Sequence, residues 1–170
     1  FQIGVHPVTC LEYHAFLDTL GGEPESQASR SPRMGANGAP LWGSEGQRRF
    51  GGFSPHRPVT GISLADAHTY AQWRGRVEGV AYRLPTSAEW EKSARGVDGR
   101  AWPWGERVEP AFCRGERYAL HDVGLFPDDL SPYGVQDLVS GVMEWTLTAS
   151  RDDPDACYVR GGCSALPLHG

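Results

Sequence analysis

The sequence predicts an α+β fold, with short helices in its first part and short strands after them. Segments with helical spacing of apolar residues and matching cap residues recur between residues 9 and 105. From residue 108 onward the pattern changes to short alternating runs separated by turns. The 22 glycines and 13 prolines among 170 residues predict loop-rich connections. We therefore expect two or three short helices packed on small, twisted antiparallel sheets.

The first helix is predicted from about residue 10 to residue 20. Thr9 and Glu12 have the spacing of a capping box, in which each side chain accepts a hydrogen bond from a free N–H group at the helix start. The pair Gly21-Gly22 ends the helix. Its predicted core face consists of Tyr13, Phe16, Leu17 and Leu20.

Two further helices are marked by their own cap residues. The second begins at Ser63, with Asp66 three residues later. The third has a capping box of Thr86 and Glu89, and Gly96 stands where a left-handed residue ends a helix. The predicted core face of the second helix consists of Ala67, Tyr70 and Trp73.

The remaining segments are predicted as loops, turns and strands. Residues 21–57, rich in Gly, Pro, Ser and Arg, are predicted to form one long loop. Residues 142–147 and 157–160 alternate as strands do. The acid pairs Asp128-Asp129 and Asp152-Asp153 are predicted to lie in solvated turns.

Composition excludes several classes of function. A formal net charge of −5 without a basic run disfavours nucleic-acid binding. No apolar run approaches the length of a membrane span, and no signal peptide is visible. The four cysteines lack CxxC or zinc-finger spacing, which, without a secretory signal, favours buried free thiols and a cytoplasmic protein.

Several long motifs, in register, resemble the formylglycine-generating enzyme family, which contains the sulfatase-modifying-factor domain. The most extensive is the segment from Tyr82 to Gly105, in which the third helix is followed by Trp102-Pro103-Trp104-Gly105. The other matching segments, in chain order, are residues 7–9, 58–63, 131–138, 144–146 and 159–162.

The resemblance implies a variant of the C-type lectin fold. It covers nearly the whole chain and predicts a single domain over residues 1–170. The chain opens in what reads as a strand and stops just after a glycine turn, whereas family members continue further. We therefore expect a domain truncated at both ends and derived from a larger multidomain protein.

For catalysis, the resemblance implies two cysteines after the Arg-Gly-Gly motif that bind copper(I) and oxidise a substrate cysteine to formylglycine. Here Cys163 follows Gly162, and the position of the first catalytic cysteine is Leu166. Leucine has no lone pair for a metal, whereas copper(I) selects thiolates. We therefore expect no copper site and no catalytic residue, although the position of the second cysteine lies beyond the chain.

A second enzymatic branch that resembles this domain uses an iron bound by histidines in ergothioneine-type biosynthesis. Its ligands form a His-x-x-x-His-x-Glu cluster on an additional helical domain. The six histidines of this chain show no such spacing.

The resemblance also implies a structural calcium ion in the turn before Glu144-Trp145. The matching ligands are the Glu144 carboxylate and groups of Val139, Ser140 and Val142. Glycine at position 141 replaces an asparagine, and calcium takes six to eight oxygens. The alternative, in which Glu144 only accepts bonds from backbone N–H groups, stays open.

The loop after Arg160-Gly161-Gly162 is where family members bind what they act on. We predict that an apolar loop surface, flanked by tryptophans, binds a protein or peptide ligand. Its predicted ligand-binding residues are Trp42, Trp145, Cys163, Ser164, Leu166, Leu168 and His169. Alternatively, Leu166 and Leu168 pack beneath a following segment.

Three functions follow from this comparison. The first is a non-catalytic binding or sensor module, similar to domains attached to bacterial serine/threonine kinases, a subgroup indicated by residues 37–42. The second is the variable ligand-binding protein of a diversity-generating retroelement. The third is a copper- and oxygen-dependent oxidase that acts on a sulfatase cysteine.

Overall fold

The computed structural model describes residues 1–20, 29–34, 38–42, 52–107, 120–153 and 156–162. Within them, the helices are α1 (Cys10–Thr19), α2 (Leu64–Glu78) and α3 (Ser87–Arg95). The strands are β1 (Glu144–Ala149) and β2 (Cys157–Arg160), which form a two-stranded antiparallel sheet. The predicted α+β class is therefore confirmed.

The helices begin where their cap residues predict. Thr9 and Glu12 form both bonds of the capping box of α1, and Thr86 and Glu89 do the same for α3. Ser63 caps α2, and its hydroxyl accepts a bond from the Asp66 N–H at 3.1 Å. These caps satisfy N–H groups that have no partner inside a helix.

The chain divides into two compact units, which we describe separately. Val8–Leu84 form the helical unit, and Phe1–Pro7 with Pro85–Gly170 form the sheet unit.

The core of the helical unit is an aromatic cluster between α1 and α2. Tyr13 is fully buried, and its ring centroid lies 5.4 Å from Phe16 and 5.6 Å from Tyr70. Trp73, at the edge of the cluster, lies 5.6 Å from Phe16. The predicted core faces of both helices are confirmed by this packing, which buries large apolar area. Among the described residues, the buried members of this cluster are Cys10, Tyr13, Phe16, Leu17, Trp42, Val59 and Tyr70.

The core of the sheet unit is smaller and forms beneath α3. Trp90 and Ala94 of the helix pack with Val135 and Leu138, and Ile3 lies at the edge of this cluster.

The sheet pairs Glu144 with Arg160 and Trp145 with Val159. Strand β2 has the predicted bounds, whereas β1 begins two residues later than predicted. The reason is a tight turn before it, in which the Gly141 N–H donates to the Asp137 carbonyl at 3.1 Å.

No helix in the described part of the chain is long and apolar enough to cross a membrane.

Candidate functional site

Helix α3 presents three side chains to the sheet of its unit. The Trp90 indole N–H donates to Glu144 Oε1 at 3.1 Å. Arg160 Nε donates to Ser87 Oγ at 2.6 Å, and its Nη2 donates to Glu91 Oε2 at 3.4 Å. Because Glu144 and Arg160 are register partners, α3 holds both strands at the end where β2 leaves the sheet. We call this region, residues 137–144 with 160–162, the strand-end site.

The carboxyl group of Glu144 is enclosed, although the residue as a whole is half-buried. Burial raises the pKa of Glu144 to about 7, the Trp90 indole opposes this shift, and the charge of Asp137 adds to it. Withdrawal from water penalises the charged form of a carboxylate. Glu144 therefore lies where a proton or a cation would stabilise it.

Gly161 and Gly162 allow the backbone of the strand end to approach the preceding turn. A Cβ on Gly161 would lie 2.7 Å from the Val142 carbonyl oxygen, and φ at this residue is +107°. A Cβ on Gly162 would collide with the Val139 carbonyl. The Gly162 N–H donates to the Leu138 carbonyl at 3.0 Å, which ties the strand end to the turn. Only glycine permits this approach.

Asp129, predicted to lie in a solvated turn, is instead fully buried, so that prediction was wrong. Its Oδ2 accepts from the Val139 N–H at 2.8 Å and from the Ser140 N–H at 2.7 Å. Burial raises the pKa of this carboxyl, and Oδ1 has no partner among the described residues. The sequence pattern did not distinguish Asp129 from its exposed neighbour Asp128, because both lie in one run of turn residues.

Asp137 is a second buried carboxylate, and the sequence predicted no role for it. Its Oδ2 accepts from the Gly124 N–H at 2.8 Å and lies 3.3 Å from His6 Nδ1. Its φ is +61°, a left-handed conformation that aspartate tolerates better than most residues. The available signal was its position at the end of the motif over residues 131–138.

The predicted metal ligands all belong to the segment from residue 139 to residue 144 of this site. Glu144 provides an enclosed carboxylate, while the carbonyls of Val139 and Val142 face the two glycines. The Ser140 hydroxyl donates to Asp129 Oδ2 at 2.8 Å. Among the residues that the structure describes, no group of three or more His, Cys, Asp or Glu side chains could hold a metal ion. A cation here would have to use backbone carbonyls, as calcium does.

The predicted ligand-binding residues fall in three places. Trp145 is half-buried in β1 of the sheet unit, where it pairs with Val159. Trp42 is 8% exposed in the aromatic core of the helical unit, with its ring 6.1 Å from that of Tyr13. The predicted loop residues Cys163, Ser164, Leu166, Leu168 and His169 lie outside the described residues. The ligand-binding role of this set stays a prediction.

Comparison with protein families gives one match over almost the whole chain. The family described as "Sulfatase-modifying factor enzyme 1-like domain" matches residues 1–168. Among solved structures, PvdO from Pseudomonas aeruginosa has the same fold, with a TM-score of 0.66 and 21% identity over 95% of this chain and 67% of that one.

The curated relatives that are similar to this chain include an oxygenase, an inactive enzyme and a protein kinase. The hercynine oxygenase of Mycolicibacterium thermoresistibile is 32% identical over 91% of this chain and 37% of its own length. The inactive C-alpha-formylglycine-generating enzyme 2 of Bos taurus is 35% identical over 61% of this chain and 37% of its own. The serine/threonine-protein kinase pkn1 of Chlamydia pneumoniae is 32% identical over 85% of this chain and 22% of its own. The chain thus spans between about a fifth and two fifths of these relatives.

Proposed function

The chain belongs to the sulfatase-modifying factor enzyme 1-like family, and we propose that it is a non-catalytic module of this family that recognises a protein or peptide ligand. The observation that carries the proposal is the fixed end of β2. Arg160 is held by Ser87 and Glu91 of α3, and the two glycines lie against the turn before β1. The chain therefore leaves the sheet from a fixed position at Gly162, and a ligand-binding segment that follows it would have one end already positioned.

The residues of the loop support recognition over copper chemistry. The position that resembles the first catalytic cysteine is Leu166, which cannot bind copper(I). Leu166, Leu168 and the intervening proline are apolar, as the centre of a peptide-binding surface is.

The names of two relatives agree with this proposal. One is an inactive formylglycine-generating enzyme, and another is a serine/threonine-protein kinase of which this chain matches 22%. We propose accordingly that the domain works within a larger multidomain protein, as a sensor attached to a catalytic domain.

Anaerobic loading with copper(I) tests the absence of catalysis. Bound copper is measured first, and oxidation of a cysteine-containing sulfatase peptide is measured after oxygen is admitted, for the wild type and for Cys163→Ser. We expect neither stoichiometric copper nor peptide turnover. Turnover that is lost in Cys163→Ser would overturn the proposal in favour of the oxidase.

Recognition itself is tested by selection from a peptide display library. Peptides are selected on the wild-type domain and then compared with the double variant Leu166→Asp, Leu168→Asp. We expect enriched peptides to bind the wild type and to lose at least about tenfold in affinity on the variant, because its apolar anchors are gone. Equal binding to both proteins would exclude the loop as the ligand site.

An oxygenase is the second candidate, since a hercynine oxygenase is 32% identical over 91% of the chain. The binding module and the oxygenase can be distinguished by the domains that the rest of the gene encodes. An iron-binding helical domain next to this one, with oxygen consumption on addition of iron(II) and hercynine, would establish the oxygenase. A reverse-transcriptase gene beside it, with a variable repeat over the loop, would establish the retroelement reading.

Calcium is a proposed structural cofactor of the strand-end site. The enclosed Glu144 carboxylate and backbone carbonyls of the turn are the oxygen ligands that calcium prefers. Glu144 would supply the charged ligand, with Val139, Ser140 and Val142 as the neighbouring groups. Calcium added after EDTA treatment should raise the melting temperature of the wild type by mass action but not that of Glu144→Gln.

A further inference from the structure

A second binding surface lies in the helical unit, on residues that the strand-end site does not use. Helix α2 is followed by its C-cap residue Gly79, which has a φ of +69°. From there the chain folds back along the last turns of the helix. The Val80 N–H donates to the Gly75 carbonyl at 3.2 Å. The Val80 carbonyl comes within 2.7 Å of where a Cβ on Gly75 would lie, so glycine is needed there. An open groove of about 450 Å³ lies between the helix and the returning segment. Its lining residues are Gln72, Gly75, Arg76, Gly79, Val80, Ala81 and Tyr82.

One wall of this groove is held rigid. The Tyr82 hydroxyl donates to Glu78 Oε2 at 2.6 Å, and the Arg74 guanidinium lies 5.4 Å from the centre of its ring. Arg74 is itself fixed by Glu78 at 2.7 Å and by Glu12 at 3.0 Å. A 40% exposed tyrosine with both its hydroxyl and its ring engaged can contact a ligand without losing much conformational freedom.

The groove exposes apolar surface beside a free positive charge. Of the lining residues, Val80 is 53% exposed and Tyr82 is 40% exposed. Arg76 lines the groove, and within the described ranges its guanidinium has no hydrogen-bond or ion-pair partner. The nearby acid Glu78 already binds Arg74 and Tyr82, so it does not neutralise Arg76.

From this geometry we propose that the groove binds an acidic–apolar peptide segment of a partner protein. An aliphatic or aromatic side chain of the peptide packs on Val80 and Tyr82, and an adjacent carboxylate pairs with Arg76. Charge complementarity favours this occupant, because the unpaired charge on the surface is a guanidinium, which matches carboxylates. A nucleic-acid backbone fits less well, because its binding requires several neutralised phosphates, whereas the described groove presents one unpaired guanidinium.

The test uses the full chain and the acidic peptide acetyl-Glu-Leu-Phe-Glu-Asp-amide as the probe. Its basic analogue, acetyl-Lys-Leu-Phe-Lys-Lys-amide, is the matched control. Backbone amide chemical shifts are followed by NMR during titration. We expect the acidic peptide to shift amides of residues 75–82 and the basic analogue to bind at least about fivefold more weakly.

Two exposed-site variants and their controls complete the design. Arg76→Glu should weaken the acidic peptide by about tenfold, whereas Arg151→Glu, an exposed arginine of the sheet unit, should change its affinity less than about twofold. Val80→Asp should weaken it, whereas Val97→Asp, at a residue 84% exposed, should not. Equal effects of variant and control, shifts outside residues 75–82, or no binding of the acidic peptide would overturn the proposal. So would Arg76-dependent binding to phosphatidylserine vesicles without peptide binding.

Discussion

At the scale of single residues, Glu144 is the most perturbed group of the strand-end site. Among the described residues, the Trp90 indole donates the one hydrogen bond to its carboxylate, and burial raises the pKa of this group to about 7. The same group is therefore sensitive both to protons and to the proposed calcium ion.

We predict that Glu144 makes the metal-free protein more stable at pH 5 than at pH 8. Its pKa is about 7 in the folded protein, against an ordinary value of 4.5, so the folded state holds the proton more tightly between these values. The stabilisation is complete below the unfolded pKa and is lost as the pH rises through the folded pKa.

The measurement is the free energy of unfolding in EDTA at both pH values, for the wild type and for Glu144→Gln. The glutamine keeps an oxygen for the Trp90 indole but cannot titrate. The gain on going from pH 8 to pH 5 should be larger in the wild type by on the order of 2 kcal/mol. An identical pH dependence of the two proteins would contradict the assignment, since the Asp129 contribution is common to both.

Gly162 gives a prediction that depends on packing alone. A methyl group there collides with the Val139 carbonyl, so Gly162→Ala should lower the free energy of unfolding by about 2 kcal/mol. Gly4→Ala is the milder comparison, because its nearest contact, the His6 carbonyl oxygen at 3.3 Å, would have to move by only a few tenths of an ångström. Chemical denaturation measures both, and equal stabilities would show that the turn and the strand end are not in close contact.

At the scale of elements, α3 supports the site because both hydrogen bonds of its N-terminal capping box are formed. The Thr86 N–H donates to Glu89 Oε2 at 2.8 Å, and the Glu89 N–H donates to Thr86 Oγ1 at 3.2 Å. The same turn carries Ser87, the hydrogen-bond acceptor for Arg160. Loss of the cap therefore weakens a helix that holds both strands.

Thr86→Ala should destabilise the protein by about 1 kcal/mol. Thr60→Ala, at a half-buried position outside the helices, should be nearly neutral. Urea unfolding monitored by tryptophan fluorescence measures the difference. If the two substitutions proved equivalent, the capping box would contribute nothing to stability.

At the scale of the whole molecule, the described residues form two hydrophobic cores, one in each compact unit, while the sequence predicts one domain. Phe16→Ala in the first core and Leu138→Ala in the second should each cost roughly 2–5 kcal/mol. If residues 1–170 unfold as one domain, both substitutions shift the same calorimetric transition. Two transitions, each sensitive to one substitution, would contradict the single-domain prediction.

The sequence predicted local structure better than long-range polar contacts. The capping boxes of α1 and α3 and the bounds of β2 are set by residues within a few positions of each other, so their spacing was sufficient. Asp129 was misread, because its partners, the amides of Val139 and Ser140, lie ten and eleven residues further along the chain. No periodicity encodes such a bond.

The candidate site was predicted only in part, because its polar contacts also join residues that are far apart in the sequence. Glu144 and Arg160 were found through motifs, yet their partners on α3 were not, because Arg160 reaches Ser87 across 73 positions of sequence. Asp137 stood inside a recognised motif, but its burial depends on a left-handed backbone that spacing does not reveal.

The two glycines at the end of β2 also have a consequence for laboratory evolution of the protein. The described contacts that hold the strand end are made by residues up to 162, through backbone groups and the side chain of Arg160. A combinatorial library should therefore keep Arg160, Gly161 and Gly162 constant and randomise codons from Cys163 onward. In such a library, substitutions at the two glycines should be depleted by a selection for folding alone, before any selection for binding is applied.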